Sequence, residues 1–175
     1  MSNREALREL QGRLAQRLAQ ARTEQAALSW LAVECAGLGL LMPLAGAGEI
    51  FAVGTLLPVA HTQPWFMGVA NLRGGLHGVV DLAAFLGLRA PLAAEAVREQ
   101  FRLVAFNAAL GSHCAVLVER LAGLRSAAQL TLQPPPAEPR PAFAGHRWHD
   151  GEGRPWQEID LAALSRNEQF LAIAA

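Results

Sequence analysis

The turn Arg73-Gly74-Gly75 constrains this chain more than any other feature, because one apolar segment runs into it and another runs out. On its near side Val69 and Leu72 are apolar around Asn71, and on its far side Leu76 to Val80 is apolar again. Two such runs around a glycine turn predict a β-hairpin with one arginine near its tip. Asp81 then stands where a helix N-cap belongs, and Leu82 to Leu86 closed by Gly87 predicts a short apolar helix. An arginine held at a rigid turn is well placed to meet a partner. The stretch Ile50 to Leu72 carries no formal charge, but Gly54, Pro58, His61, Gln63, Pro64, Gly68 and Asn71 interrupt it. A lone helix in hydrocarbon does not tolerate so many breakers and polar groups, so this is a set of strands and turns and not a membrane span.

Around that hairpin the periodicity is mostly that of strands. Leu28 to Cys35, Leu40 to Leu44 and Ala45 to Val53 read as three strands, the first two joined by a turn at Gly37 to Gly39. Gly46 and Gly48 invite a bulge or a close backbone approach in the third. Pro58 to Gln63 is a connector, and Ala93 to Gln100 a short helix or loop. Arg102 to Ala108 and His113 to Val118 make a second hairpin around Gly111-Ser112. Local pattern leaves Leu121 to Leu132 open between strand and helix. The segment QPPPAEPRP, residues 133–141, fits neither and is an extended surface loop. Phe143 to His149 and Arg154 to Glu158 form a third hairpin around Asp150-Gly151-Glu152-Gly153, and Asp160 caps a closing helix from Leu161 to about Phe170. At the other end, residues 3–26 read as an amphipathic helix, with a Ser2/Glu5 capping box and a narrow stripe of Leu7, Leu10, Leu14, Leu18 and Ala21. Such a helix lies on its own domain or serves docking and self-association. The sum is about nine or ten short strands with a few helices, a mainly β chain.

Composition narrows the partners. Basic and acidic residues number 15 each, so no net field favours nucleic acid or an anionic membrane. Apolar residues make up 52% and charged ones 17%, the balance of a globular protein and not of a disordered tail. Cys35 and Cys114 sit in apolar runs, where reduced cysteine behaves as a small buried hydrophobe. The charged opening Met1-Ser2-Asn3-Arg4-Glu5 is not that of a secretory signal, and a cytoplasmic location is expected.

Catalytic and metal chemistry find little support. His146 and His149 in a strand face opposite ways, and His113-Cys114 lacks a second pair at ligand spacing, so no metal is expected. Gly37-x-Gly39 and Gly46-x-Gly48 lack the third glycine of a dinucleotide loop, and without any lysine there is no phosphate loop, so no cofactor is expected. Ser112-His113-Cys114 places nucleophile and base types side by side on faces that diverge, and His77 with Asp81 reads as a structural pair. No catalytic residue is assigned.

The order Gly68-Val69-Ala70-Asn71-Leu72-Arg73-Gly74, then Val79-Val80-Asp81-Leu82, then Gly87-Leu88, resembles the central signature of the CheW-like adaptor domain family. Upstream, Pro43-Leu44 and Glu49-Ile50, and the two prolines Pro58 and Pro64, fit the same pattern, and motif order extends the resemblance over residues 28–173. Gly75 and Gly78 depart from it, a proline being usual at the place of Gly78. The resemblance implies two five-stranded barrel-like subdomains packed together, with a strand over residues 121–132, an added N-terminal helix at 1–26, and the CheW-like domain at 27–175. It implies a non-catalytic adaptor between methyl-accepting chemoreceptors and a CheA-type histidine kinase, and the long N-terminal segment is similar to the pilus-linked, twitching-motility branch. The expected partners are the regulatory domain of that kinase and the cytoplasmic tip of a receptor, at membrane-associated arrays without membrane insertion. An oligomerising scaffold that uses only its N-terminal helix is the alternative. Carried over residue by residue, the protein-binding candidates are Gly68, Asn71, Leu72, Arg73 and Gly74 at the hairpin with Glu49 and Ile50 beside it, above Val69, Val79 and Val80. Turn arginines commonly just pair locally, here with Glu49 or Asp81. The resemblance makes Arg73 an interface anchor instead, a role to which its planar fork is suited.

Overall fold

The computed structural model describes residues 28–97 and 99–175. The helix expected over residues 3–26 lies outside the described residues. Strands β1 (Ser29–Cys35), β2 (Leu38–Pro43), β8 (Arg120–Ser126), β9 (Leu130–Leu132), β10 (Ala144–Asp150) and β11 (Pro155–Ile159) form one sheet in the order β8-β1-β2-β11-β10-β9. Strands β3 (Ala47–Ala52), β4 (Phe66–Leu72), β5 (Gly75–Asp81), β6 (Arg102–Phe106) and β7 (Cys114–Val118) form the other in the order β3-β6-β7-β5-β4. Neighbours are antiparallel except β11 with β2 and β5 with β7, which run parallel.

In each sheet the two edge strands are consecutive in the chain, which is the signature of a sheet curling back on itself. The first sheet closes covalently, because only the 3-10 turn Ala127–Gln129 separates edge strands β8 and β9. That turn corrects the expectation of one strand through residues 121–132. Gln129 Oε1 accepts from the Ser126 amide at 2.9 Å, a reciprocal cap that stops one strand and starts another. The sheets consequently hold six and five strands.

Alternation within the strands feeds three apolar cores. Leu31, Val33 and Cys35 of β1, Leu40 and Met42 of β2, Val104 and Phe106 of β6, and Cys114, Val116 and Val118 of β7 meet in a core shared by the two sheets. The alternate residues Trp30, Ala32 and Leu41 turn into the first barrel against Trp148 and Trp156. Leu103, Ala105, Ala115 and Leu117 turn into the second against Ala70, Leu72 and Val79. Strands buried on both faces read as near-continuous apolar runs. Both cysteines are free and buried, and burial pushes each thiol up to about 12.

The closing helix is broken. It forms as α2 (Leu161–Leu164) and α3 (Glu168–Leu171), after α1 (Leu82–Phe85) earlier in the chain. Asn167 is extended and its side chain accepts from the Phe170 amide at 3.0 Å, capping a new helical turn. The gain is burial of Phe170, which stacks on Phe106 with ring centres 5.8 Å apart and meets Phe85 edge-on at 5.2 Å. Residues 133–141 carry no regular structure, as their prolines dictate.

Candidate functional site

The β4–β5 hairpin turns on two residues, Arg73 and Gly74, with φ of 49° and 84°. Positive φ at both positions is the tight-turn geometry that matches strand twist, and Gly75 belongs to the strand that follows. Arginine is an uncommon occupant of such a position. Two contacts hold it there: Asn71 Oδ1 accepts from the Gly74 amide at 2.8 Å, and Leu72 is buried in the barrel core immediately before it.

The Arg73 guanidinium bonds Glu49 at 2.5 Å, with side chains 76% and 45% exposed. Glu49 lies on β3 and Arg73 beside β4, the two edges of the five-stranded sheet, so this ion pair spans the seam where that barrel is not closed by a ladder. Beneath it is a cleft of about 440 Å³ lined by residues 49–52, 54, 55 and 70–73. β3 reaches the seam through the bulge that Gly46 and Gly48 suggested. Its pairing with β6 slips between Ala47 and Ile50, and a Cβ on Gly48 would lie 2.9 Å from the Ala105 carbonyl oxygen.

Five of the seven expected binding residues, Glu49, Ile50, Asn71, Leu72 and Arg73, line this one cleft, and Gly74 is the second residue of the hairpin turn. Two are placed differently from a contact surface. Leu72 is a core residue beneath the turn. Gly68 is buried at φ 120°, where a Cβ would stand 2.2 Å from the Leu57 carbonyl oxygen. Leu57 crosses there and exchanges both backbone hydrogen bonds with Val69, at 2.8 and 2.9 Å. Gly68 is therefore required for a close approach and offers no side chain to a partner. Val79 and Val80 are buried below, while Val69 is half-buried. Gly78 opens a space that the Phe66 ring fills, 3.1 Å from where a Cβ would be.

Asp81 pairs with neither Arg73 nor His77. It caps α1 through the Ala84 amide at 3.3 Å, and both its oxygens accept from Arg89, at 2.7 and 2.9 Å. Arg89 also bonds Glu119 at 2.8 Å, and Glu119 accepts from the Ala36 amide at 3.1 Å. This chain of bonds ties the end of β5 to the β1–β2 turn and so joins the two sheets. Burial pulls the Arg89 guanidinium down, and the bonds to Asp81 and Glu119 more than reverse it, so it is held above its ordinary value. Sequence reading missed Arg89 and Glu119. The available signal was an aspartate ending an apolar strand, with a lone arginine soon after the Gly87-Leu88 that follows it.

In the Ser112-His113-Cys114 run, burial pushes the Cys114 thiol up to about 12, which keeps it protonated near neutral pH. Among the described residues, no group of three or more His, Cys, Asp and Glu could hold a metal ion, and no helix is long and apolar enough to cross a membrane.

The family model described as "CheW-like domain" matches residues 29–169. The chain is 28% identical over 160 residues to Protein PilI of Pseudomonas aeruginosa, covering 86% of this chain and 84% of that protein. Its fold superposes on the crystal structure of the scaffolding protein TtCheW from Thermoanaerobacter tengcongensis with a TM-score of 0.63. That match has 16% identity and covers 77% of this chain and 85% of the other.

Proposed function

The chain belongs to the CheW-like domain family, and from that premise we propose that it is a non-catalytic adaptor coupling methyl-accepting chemoreceptors to a CheA-type histidine kinase. Its likeness to PilI supports a place in a type IV pilus, twitching-motility chemosensory system, working in the cytoplasm at receptor arrays. In this reading residues 27–175 are the adaptor domain, residues 1–26 an appended helix, and the Arg73 hairpin an anchor for the kinase regulatory domain.

The observation that carries the reading is the Arg73–Glu49 pair over the open seam. An exposed ion pair contributes only about 0–1 kcal/mol to stability, so the Arg73 fork is released from Glu49 at little cost when a partner offers carboxylates or carbonyls. The turn fixes where that fork stands, which lowers the ordering penalty of binding. A receptor tip and a kinase domain that each favour this domain then become coupled through it.

Calorimetric titration of the full chain with the regulatory domain of the CheA-type kinase from the same organism tests this, for wild type and Arg73→Glu. The expected result is binding that the charge reversal weakens by more than about 2 kcal/mol, the scale of an interface hot spot. Binding indifferent to Arg73 moves the kinase surface elsewhere. No binding by either protein overturns the kinase link.

A further inference from the structure

His77 and His113 are far apart in sequence but side by side in the fold. Strands β5 and β7 run parallel with Gly78 opposite Cys114, and the Gly78 amide donates to the His113 carbonyl at 2.9 Å. One residue before each of these partners, His77 on β5 and His113 just ahead of β7, stand the two histidines, with ring centres 5.5 Å apart and planes inclined at 67°. His113 is exposed and His77 half-buried, so water and ions reach the gap between them.

From this arrangement we propose that His77 and His113 form a two-histidine site for a borderline divalent cation, Cu²⁺ or Zn²⁺, at the base of the Arg73 hairpin. Three features point to an ion and not merely to stacked rings. The spacing fits a tetrahedral arrangement, because two imidazoles at metal–nitrogen distances of about 2.0–2.1 Å and a tetrahedral angle have ring centres about 5 Å apart. The tautomer is set, because His77 Nδ1 lies 3.0 Å from the Gly75 carbonyl oxygen, which can only accept. In the neutral ring Nδ1 therefore carries the hydrogen and Nε2 keeps a free lone pair for the ion. A carbonyl accepting from the far nitrogen is the outer support that ligating histidines regularly have, and it also orients the ring. Imidazole suits copper and zinc, and divalent copper binds nitrogen ligands most tightly in its series.

Two protein ligands leave the remaining coordination positions to water or to a side chain brought by another molecule. Such a site is an exchangeable clamp and not the closed four-ligand centre that holds a structural zinc. It would tie the start of β5 to the start of β7 and place positive charge four residues from Arg73. The site goes beyond the adaptor role and does not depend on it.

The test is titration of the untagged full chain with Cu²⁺ and Zn²⁺ alone, by calorimetry and, for copper, electron paramagnetic resonance. The variants are His113→Ala, His77→Ala and His146→Ala/His149→Ala. The expected result is one ion per chain, a copper signal split by two nitrogens, and at least an about tenfold loss of affinity in each single variant. The His146→Ala/His149→Ala variant should bind like wild type. His113 is exposed, so its variant stays informative even if His77→Ala fails to fold. Wild-type affinity in His113→Ala, loss of binding in the His146/His149 variant instead, or no binding at all overturns the proposal.

Discussion

Strand β5 has an arginine interaction at each end, and the two differ in almost every physical respect. At its start Arg73 is 76% exposed and bonds one carboxylate that is itself half in water. At its end Arg89 grips Asp81, which is wholly buried, through two hydrogen bonds and reaches Glu119 with a third. Water screens the first pair and competes for both its partners. The second is shielded, and removing Arg89 strands the buried charge of Asp81. The same residue type thus serves as a staple where solvent is excluded and as an uncommitted donor where it is not. Proximity of charge in a fold therefore says little about role until burial is known.

The largest expected effect comes from breaking the buried pair. Asp81→Ala or Arg89→Ala should lose about 3–5 kcal/mol in a urea melt, whereas Arg73→Ala should stay within about 0.5 kcal/mol of wild type. Equal losses at the two ends would abolish the distinction. Kinase binding should invert the ranking. Arg73→Glu is expected to lose more than about 2 kcal/mol of affinity, while Arg120→Ala, an exposed arginine paired with Glu34 on the other sheet, keeps affinity within about twofold. Arg73→Glu binding as well as Arg120→Ala would strip the hairpin of its role.

A third system lies between these extremes. Glu34 bonds Arg120 bidentately at 2.7 and 2.8 Å and Arg154 at 2.7 Å, and Arg154 lies 4.6 Å over the Trp156 ring. Burial pushes the Glu34 carboxyl up, but the two guanidiniums outweigh it and hold it below its ordinary 4.5. A depressed carboxylate stabilises the fold fully above its unfolded value and ceases to as pH falls through its folded one. Glu34→Gln should therefore cost about 1 kcal/mol at neutral pH. Its deficit should shrink as the pH drops below about 4.5, a convergence that pH-dependent melts would detect. The smallest effect belongs to Arg73 with Glu49. A double-mutant cycle should return about 0.2–1 kcal/mol of coupling at low salt and nearly none in 1 M salt.

Local chemistry made much of the fold legible. The Arg73-Gly74 turn, the Asp81 and Asp160 caps, the bulge at Gly48 and the proline loop each follow from residues within a few positions of one another. The misses were tertiary or depended on competing local options. Asn167 could continue a helix or restart one, and the burial of Phe170 decided it. Gln129 ended a strand by reaching back to Ser126. Of the candidate site, the turn and its arginine were visible, but the burial of Leu72 and Gly68 was not. Alternation leaves open which side of a hairpin a second strand covers. The bond of Arg89 to Glu119 and the pairing of His77 with His113 required knowing which distant segments meet.

The parallel pairing of β2 with β11 has a consequence for synthesis. Every strand of the five-stranded sheet lies between residues 47 and 118, so that barrel can assemble as soon as it leaves the ribosome. The six-stranded sheet draws β1 and β2 from before that insertion and β8 to β11 from after it. Trp156, which settles on Gly39, is made last of these. At typical translation speeds the β1–β2 hairpin waits of the order of ten seconds with its Trp30, Ala32 and Leu41 face uncovered. The nascent chain is most exposed to aggregation, and most in need of a chaperone, through its first hairpin.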